Sequence, residues 1–128
     1  MHREIQILAL IQFLIVGLSH FCYPRAWAEF FIWLRGRGYA GVFVHGFLSL
    51  ALGSLVVAFH QVWAGPAAVL TVVGYIYLFK AALCFLWPAT QMATLGRVSV
   101  ERTWVFMVPG VVYILIAGVL MYALWEKR

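Results

Sequence analysis

The chain has 128 residues, of which 66% are hydrophobic, 17% aromatic and 10% charged, whereas soluble domains run near 45–50% apolar and about 25% charged. That balance excludes a water-soluble globular domain and fits one integral membrane domain, residues 1–128. The net charge of +5 comes from basic residues at the ends of apolar runs, where they set orientation and meet anionic lipid; nucleic acid is not an expected partner.

Asp, Glu, Lys and Arg are absent from Ile5 to Pro24, from Gly38 to Phe79 and from Thr103 to Trp125. Runs of that length predict transmembrane helices over 5–23, 40–60, 66–87 and 103–125. Four segments cannot close a barrel, so the expected fold is all-α and polytopic. The start carries features of a secretory signal, with Arg3 before an apolar stretch and Ala26-Trp27-Ala28 in place of a cleavage site. The reading favours an uncleaved first span.

After Pro24, the residues Trp27, Phe30, Phe31 and Leu34 fall at i, i+3, i+4 and i+7, with Arg25 and Glu29 opposite. This predicts an amphipathic helix over 24–35, lying in the headgroup region with its aromatic face in the acyl boundary. An ordinary aromatic belt predicts nearly the same placement. Between spans two and three there is only a tight turn, Gln61 to Gly65, so those helices must be antiparallel neighbours. Pro66 suits the first position of the third span. In the fourth, Pro109 beside Gly110 is expected to kink or loosen the helix.

An internal repeat is suggested at an offset of 64 residues, where Pro24 matches Pro88, Phe21 matches Phe85, Leu14 matches Leu78 and Gly46 matches Gly110. These identities alone are few enough to arise by chance in so biased a composition. The shared order of span, proline, polar stretch and span is the better sign, and it implies parallel two-helix repeats related about the membrane normal.

Small residues recur at heptad spacing. Gly46 and Gly53 with Ser49 between them, Gly74 flanked by Ala67 and Ala81, and Gly110 with Ala117 form stripes suited to close helix packing in lipid. Lys80 is the only acidic or basic residue within a span. It lies roughly 10 Å below the nearer surface, and its insertion costs roughly 3 kcal/mol unless it is paired or hydrated. With no intramembrane carboxylate in the chain, its partner must be a polar group such as Tyr77, a lipid phosphate, an anionic ligand or another protein.

His20 and His45 sit at similar depth on one membrane side, the minimum for a metal or bis-histidine haem, while His60 lies on the other. No carboxylate is near in sequence to orient either ring, and no cofactor is expected. Cys22 and Cys84 are read as small buried hydrophobes. Without Asp, paired carboxylates, a phosphate loop or a nucleophile with its base, the chain reads as non-catalytic.

Basic residues number five in the first and third connections, Arg25, Arg35, Arg37, Arg97 and Arg102, against Arg3, Lys127 and Arg128 at the termini. The positive-inside rule then places connections 24–39 and 88–102 in the cytoplasm and both termini outside, in a membrane such as the bacterial inner membrane. The favoured function is an accessory or scaffolding subunit that packs against other integral membrane proteins or its own copies. The alternatives are a small transporter or channel-like oligomer for an anionic or amphiphilic solute, and a one-haem electron carrier.

Overall fold

The fold is known from a computed structural model that describes His2 to Glu126. Four helices are long and apolar enough to cross a membrane: α1 (His2–Cys22), α3 (Tyr39–Phe59), α4 (Ala68–Leu86) and α6 (Met107–Glu126), the last entered through a 3-10 segment, Val100–Phe106. The described residues contain no strand. Between the spans lie two short helices, α2 (Pro24–Gly36) and α5 (Pro88–Leu95). The protein is therefore an all-α, multi-pass bundle. Lys127 and Arg128, counted above for orientation, lie outside the described residues.

Three expectations are corrected. The connection 88–102 holds α5 and a 3-10 segment, so the bundle carries two short helices rather than one. The polar sequence around Gln91 and Thr94 hid the helix, an eight-residue segment opened by Pro88. Pro109 does not kink its span: α6 begins at Met107, and in a first helical turn the missing N–H has no helical acceptor to lose. The backbone irregularity falls earlier, at Arg102 (φ −120°, ψ 44°). The third span begins at Ala68, because Gly65, at φ +75°, is still turning the chain.

The helices pair as α1 with α6 and α3 with α4. This is the arrangement an internal two-fold produces, because an offset of 64 maps α1 onto α4 and α3 onto α6. The corners repeat in detail. Tyr23 (φ −129°, ψ 55°) and Trp87 (φ −142°, ψ 63°) each end a span before a proline, which bars them from helical backbone. The Tyr23 N–H donates to the Ser19 carbonyl at 2.8 Å, and the Trp87 N–H to that of Leu83 at 2.9 Å.

Close helix contacts repeat in the same register. A Cβ on Gly46 would meet Cys84 and the Phe85 ring; one on Gly110 would meet Gly17, His20 and Phe21. His20 and Phe21 are the residues 64 positions before Cys84 and Phe85. Val56 and its counterpart Leu120 are both fully buried in the shared core, which also holds Ala9, Phe13, Leu70 and Ala117. Gly53 and Gly74 lie in the α3–α4 seam, where Gly74 receives Val56 and Gly53 abuts the backbone of Leu78. Glycine serves these places because lipid gives helices no hydrophobic reason to associate, so association depends on close packing.

Candidate functional site: an intramembrane cavity under helix α2

The amphipathic helix α2 turns its apolar face onto the bundle. Leu34 and Ala28 are fully buried, and Gly41 of α3 touches the Leu34 backbone so closely that a Cβ has no place there. Of the four residues expected at the acyl boundary, Leu34 is covered by protein instead, while Trp27, Phe30 and Phe31 are half-buried. Amphipathicity identifies which face is apolar but does not distinguish lipid from protein as its cover. The polar face is exposed and carries an Arg25–Glu29 ion pair of 3.2 Å.

Two anchors hold α2 in place. The Trp27 indole Nε1 donates to Ser19 Oγ at 2.9 Å, while the Arg35 guanidinium donates to the carbonyls of Leu95, Gly96 and Val98 at 3.1–3.4 Å. The second anchor satisfies carbonyls that the end of α5 leaves without helical partners. It joins the short helices of the two halves.

Beneath α2 lies a cavity of about 280 Å³. His20, His45, Tyr77 and Lys80, the four candidates singled out in the sequence, all line it. They are joined there by Gln12, Ser49 and Tyr113. Apolar walls come from Trp27, Phe30 and Phe31 of α2 and from Phe13, Val16, Leu48 and Leu52 below them. The cavity sits on the internal two-fold, since it contains both members of the pairs Phe13 and Tyr77, Val16 and Lys80, and Ser49 and Tyr113. In the first two pairs the polar member comes from the second half, so one repeat contributes hydrocarbon where the other contributes a hydroxyl or an ammonium.

The polar groups differ in how far the protein satisfies them. His20 Nδ1 lies 2.9 Å from the Val16 carbonyl, which makes Nδ1 the protonated nitrogen and Nε2 the acceptor. Its ring stacks on Trp27 at 3.9 Å between centroids. The backbone thus supplies an orienting acceptor to His20 where no carboxylate is near in sequence. The Tyr77 hydroxyl donates to that of Tyr113 at 3.0 Å. Lys80 Nζ lies 5.9 Å from the centre of the Tyr77 ring, and His45 meets Phe31 edge-on at 5.3 Å. Among the described residues, Gln12, His45, Ser49 and Lys80 have no hydrogen-bond partner through their side chains, and no Asp or Glu lines the cavity.

A second pocket, of about 200 Å³, lies between α2 and the α5 region and is lined by Gln91, Thr94, Leu95, Val98 and Phe106. It shares Phe31, His45 and Lys80 with the main cavity, so these three residues form a waist between the two spaces. His60 is at the far end of the bundle, where Gln6 Nε2 donates to His60 Nε2 at 3.0 Å and His60 Nδ1 donates to Thr71 Oγ1 at 2.9 Å.

Sequence reasoning missed Tyr113 and Gln12 as lining residues and Gly17 and Gly41 as close-packing positions. Tyr113 did carry a signal, since it is the repeat counterpart of Ser49 on a stripe already recognised. Gly41 carried none, because its partner is the end of α2 rather than another span. No group of three or more potential metal-ligating side chains occurs among the described residues. No family model, curated protein or solved structure matches the chain.

Proposed function

We propose that the protein is a small membrane carrier that binds an anionic, amphiphilic solute in the cavity under α2, acting without covalent chemistry. The observation that carries this reading is that Lys80, His45, Ser49 and Gln12 meet in one space with no side-chain hydrogen-bond partner among the described residues. A lysine in hydrocarbon requires a counter-charge or hydration, and the cavity beside Lys80 has room for a bound anion or for water. The missing partner that favoured an accessory subunit on sequence grounds therefore no longer demands a second protein. A site at the interface of two repeats, near the membrane interior, is also where carriers built from repeats bind their solutes.

The same reading gives an orientation. Arg25, Arg35, Arg37, Arg97 and Arg102 all belong to the end of the bundle that carries α2 and α5, and the positive-inside rule assigns that end to the cytoplasm in a membrane such as the bacterial inner membrane.

The test is a panel of small organic anions, cations and neutral solutes, scored by the thermal shift of the purified protein in detergent and by flux into vesicles containing it. Anions are expected to raise Tm through preferential binding to the folded state and to cross the membrane, and Lys80→Met is expected to abolish both effects. No response to any solute, together with a stoichiometric membrane partner in mild detergent that Lys80→Met releases, would replace this reading with the accessory subunit.

A further inference from the structure

The geometry points to a small aromatic monocarboxylate as the occupant, with its carboxylate at the Lys80–His45 waist and its ring among Phe13, Trp27 and Phe30. This rests on the reading of the cavity as a solute site and adds the chemical class of the solute.

Charge fixes the first feature. Lys80 is the single formal cation in the lining, and no acid accompanies it. A monoanion neutralises it, whereas a phosphate monoester would bring a second negative charge for which the cavity holds no partner, and an unpaired charge in such a medium is costly. An ammonium solute would face the same deficit with opposite sign.

Position fixes the second. Lys80 and His45 border both the main cavity and the α5-side pocket, where Gln91 and Thr94 add polar groups. The main cavity beyond the waist has apolar walls at Phe13, Trp27, Phe30 and Leu52 and uncharged polar groups at Gln12 and Ser49. Hydrogen-bonding groups occur on both sides, but the one formal charge is at the waist, so a carboxylate is drawn to Lys80 and sets the orientation of the solute.

Size and wall chemistry fix the third. At about 280 Å³, the cavity lies at the lower edge of the roughly 300–1,000 Å³ typical of sites for drug-sized ligands, which favours a single ring with a short side arm over a long acyl chain. The lining rings are already arranged in tilted and edge contacts, with Phe13 at 5.4 Å from Tyr113 and Trp27 at 5.7 Å from Phe30. A planar guest extends such a set, and aromatic pairs contribute about 0.5–1.5 kcal/mol beyond area burial.

The experiment measures binding to the full chain in detergent for benzoate, phenylacetate, cyclohexanecarboxylate, octanoate, benzyl phosphate, benzylamine and benzyl alcohol. Benzoate or phenylacetate is expected to bind about three- to tenfold tighter than cyclohexanecarboxylate, and benzylamine and benzyl alcohol are expected to bind at least tenfold more weakly than the aromatic acids. Lys80→Gln should erase the preference for acid over alcohol. This comparison across solutes on the unaltered protein stands even where that variant fails to fold. Equal or tighter binding of cyclohexanecarboxylate or octanoate overturns the aromatic assignment and leaves the anion carrier intact; tighter binding of benzyl phosphate overturns the monoanion assignment. Failure of every anion to bind overturns the carrier reading with it.

Discussion

The Tyr77 hydroxyl donates to the Tyr113 hydroxyl over 3.0 Å, joining α4 to α6 across the floor of the cavity. Both rings also meet Phe13 of α1, at 6.3 and 5.4 Å, so the pair holds three spans in register. Tyr113→Phe removes the acceptor and leaves the Tyr77 hydroxyl to the cavity. Intramembrane hydrogen bonds average about 0.6 kcal/mol in measured cycles, so a loss of about 0.5–1.5 kcal/mol is expected in detergent unfolding. Solute selectivity should change more than stability, because the freed Tyr77 hydroxyl then faces the bound solute. A selectivity profile identical to the parent's would remove Tyr113 from the site.

Glycine substitutions should separate the seams from the lipid face. Alanine at Gly17 or Gly110 puts a Cβ about 3 Å from backbone or side-chain atoms of the facing helix, and such overpacking costs about 1–3 kcal/mol. At Gly118 of the same α6, an added Cβ meets nothing within 4 Å, so Gly118→Ala should be neutral or stabilising by up to about 1 kcal/mol from helix propensity. Comparable losses at all three positions would contradict the α1–α6 pairing.

What the sequence made legible follows from the range of each interaction. Spans, the apolar face of α2 and the small-residue stripes were readable because each depends on local periodicity and composition. The destination of the α2 face was not, because Leu34 finds Gly41 and Phe31 finds Phe106 only after the chain has turned twice. Lys80, Tyr77, His20 and His45 could be named as residues out of place in hydrocarbon. That they share one cavity depends on the pairing of α1 with α6 and α3 with α4, which residue spacing alone does not determine. The repeat lay between these cases: its sequence identities were weak, and matching backbone at Tyr23 and Trp87 made it plain.

Arg35 is expected to act as the strap between the two short helices. Arg35→Ala removes donors from the carbonyls of Leu95, Gly96 and Val98 without touching the cavity wall. Amide exchange in 96–106 should rise severalfold while the centres of the spans stay protected, since local opening draws on the least stable contacts. Arg35→Lys should restore protection only in part, because a single ammonium does not reproduce the fork of the guanidinium. Unchanged exchange in both variants would show that the strap contributes nothing measurable.

Placement of the two ends is testable by labelling single cysteines in a background lacking Cys22 and Cys84. Cysteine at Arg35 or Arg97 should react from one side of the membrane and cysteine at Trp63, in the α3–α4 turn, from the other, because α2 and α5 share one end of the bundle. Reaction of the Arg35 and Arg97 positions from opposite sides would break the parallel repeat. From the positive-inside rule, the Arg35 and Arg97 positions are expected to react from the cytoplasmic side.

The last prediction concerns the far end of the two-fold axis, where Gln6, His60 and Thr71 are buried together. The Gln6 amide donates to His60 Nε2, so His60 carries its proton on Nδ1 and donates it to Thr71 Oγ1. Thr71 in turn lies within hydrogen-bond distance of the His60 and Val62 carbonyls and accepts from the Val62 N–H at 3.2 Å. One hydroxyl thus fixes the histidine tautomer and the backbone that leads from α3 into the turn. Thr71→Val preserves shape but leaves several buried polar groups without their partner, at about 1–3 kcal/mol for such an unsatisfied group. Gln6→Leu removes one donor to His60 and should cost less. The expected order of unfolding midpoints is therefore parent, then Gln6→Leu, then Thr71→Val, with solute binding under α2 unchanged in Gln6→Leu because the network lies at the opposite end from His45. A Gln6→Leu variant less stable than Thr71→Val would reverse the assigned direction of the chain, and loss of solute binding in Gln6→Leu would show that the two ends of the axis are coupled.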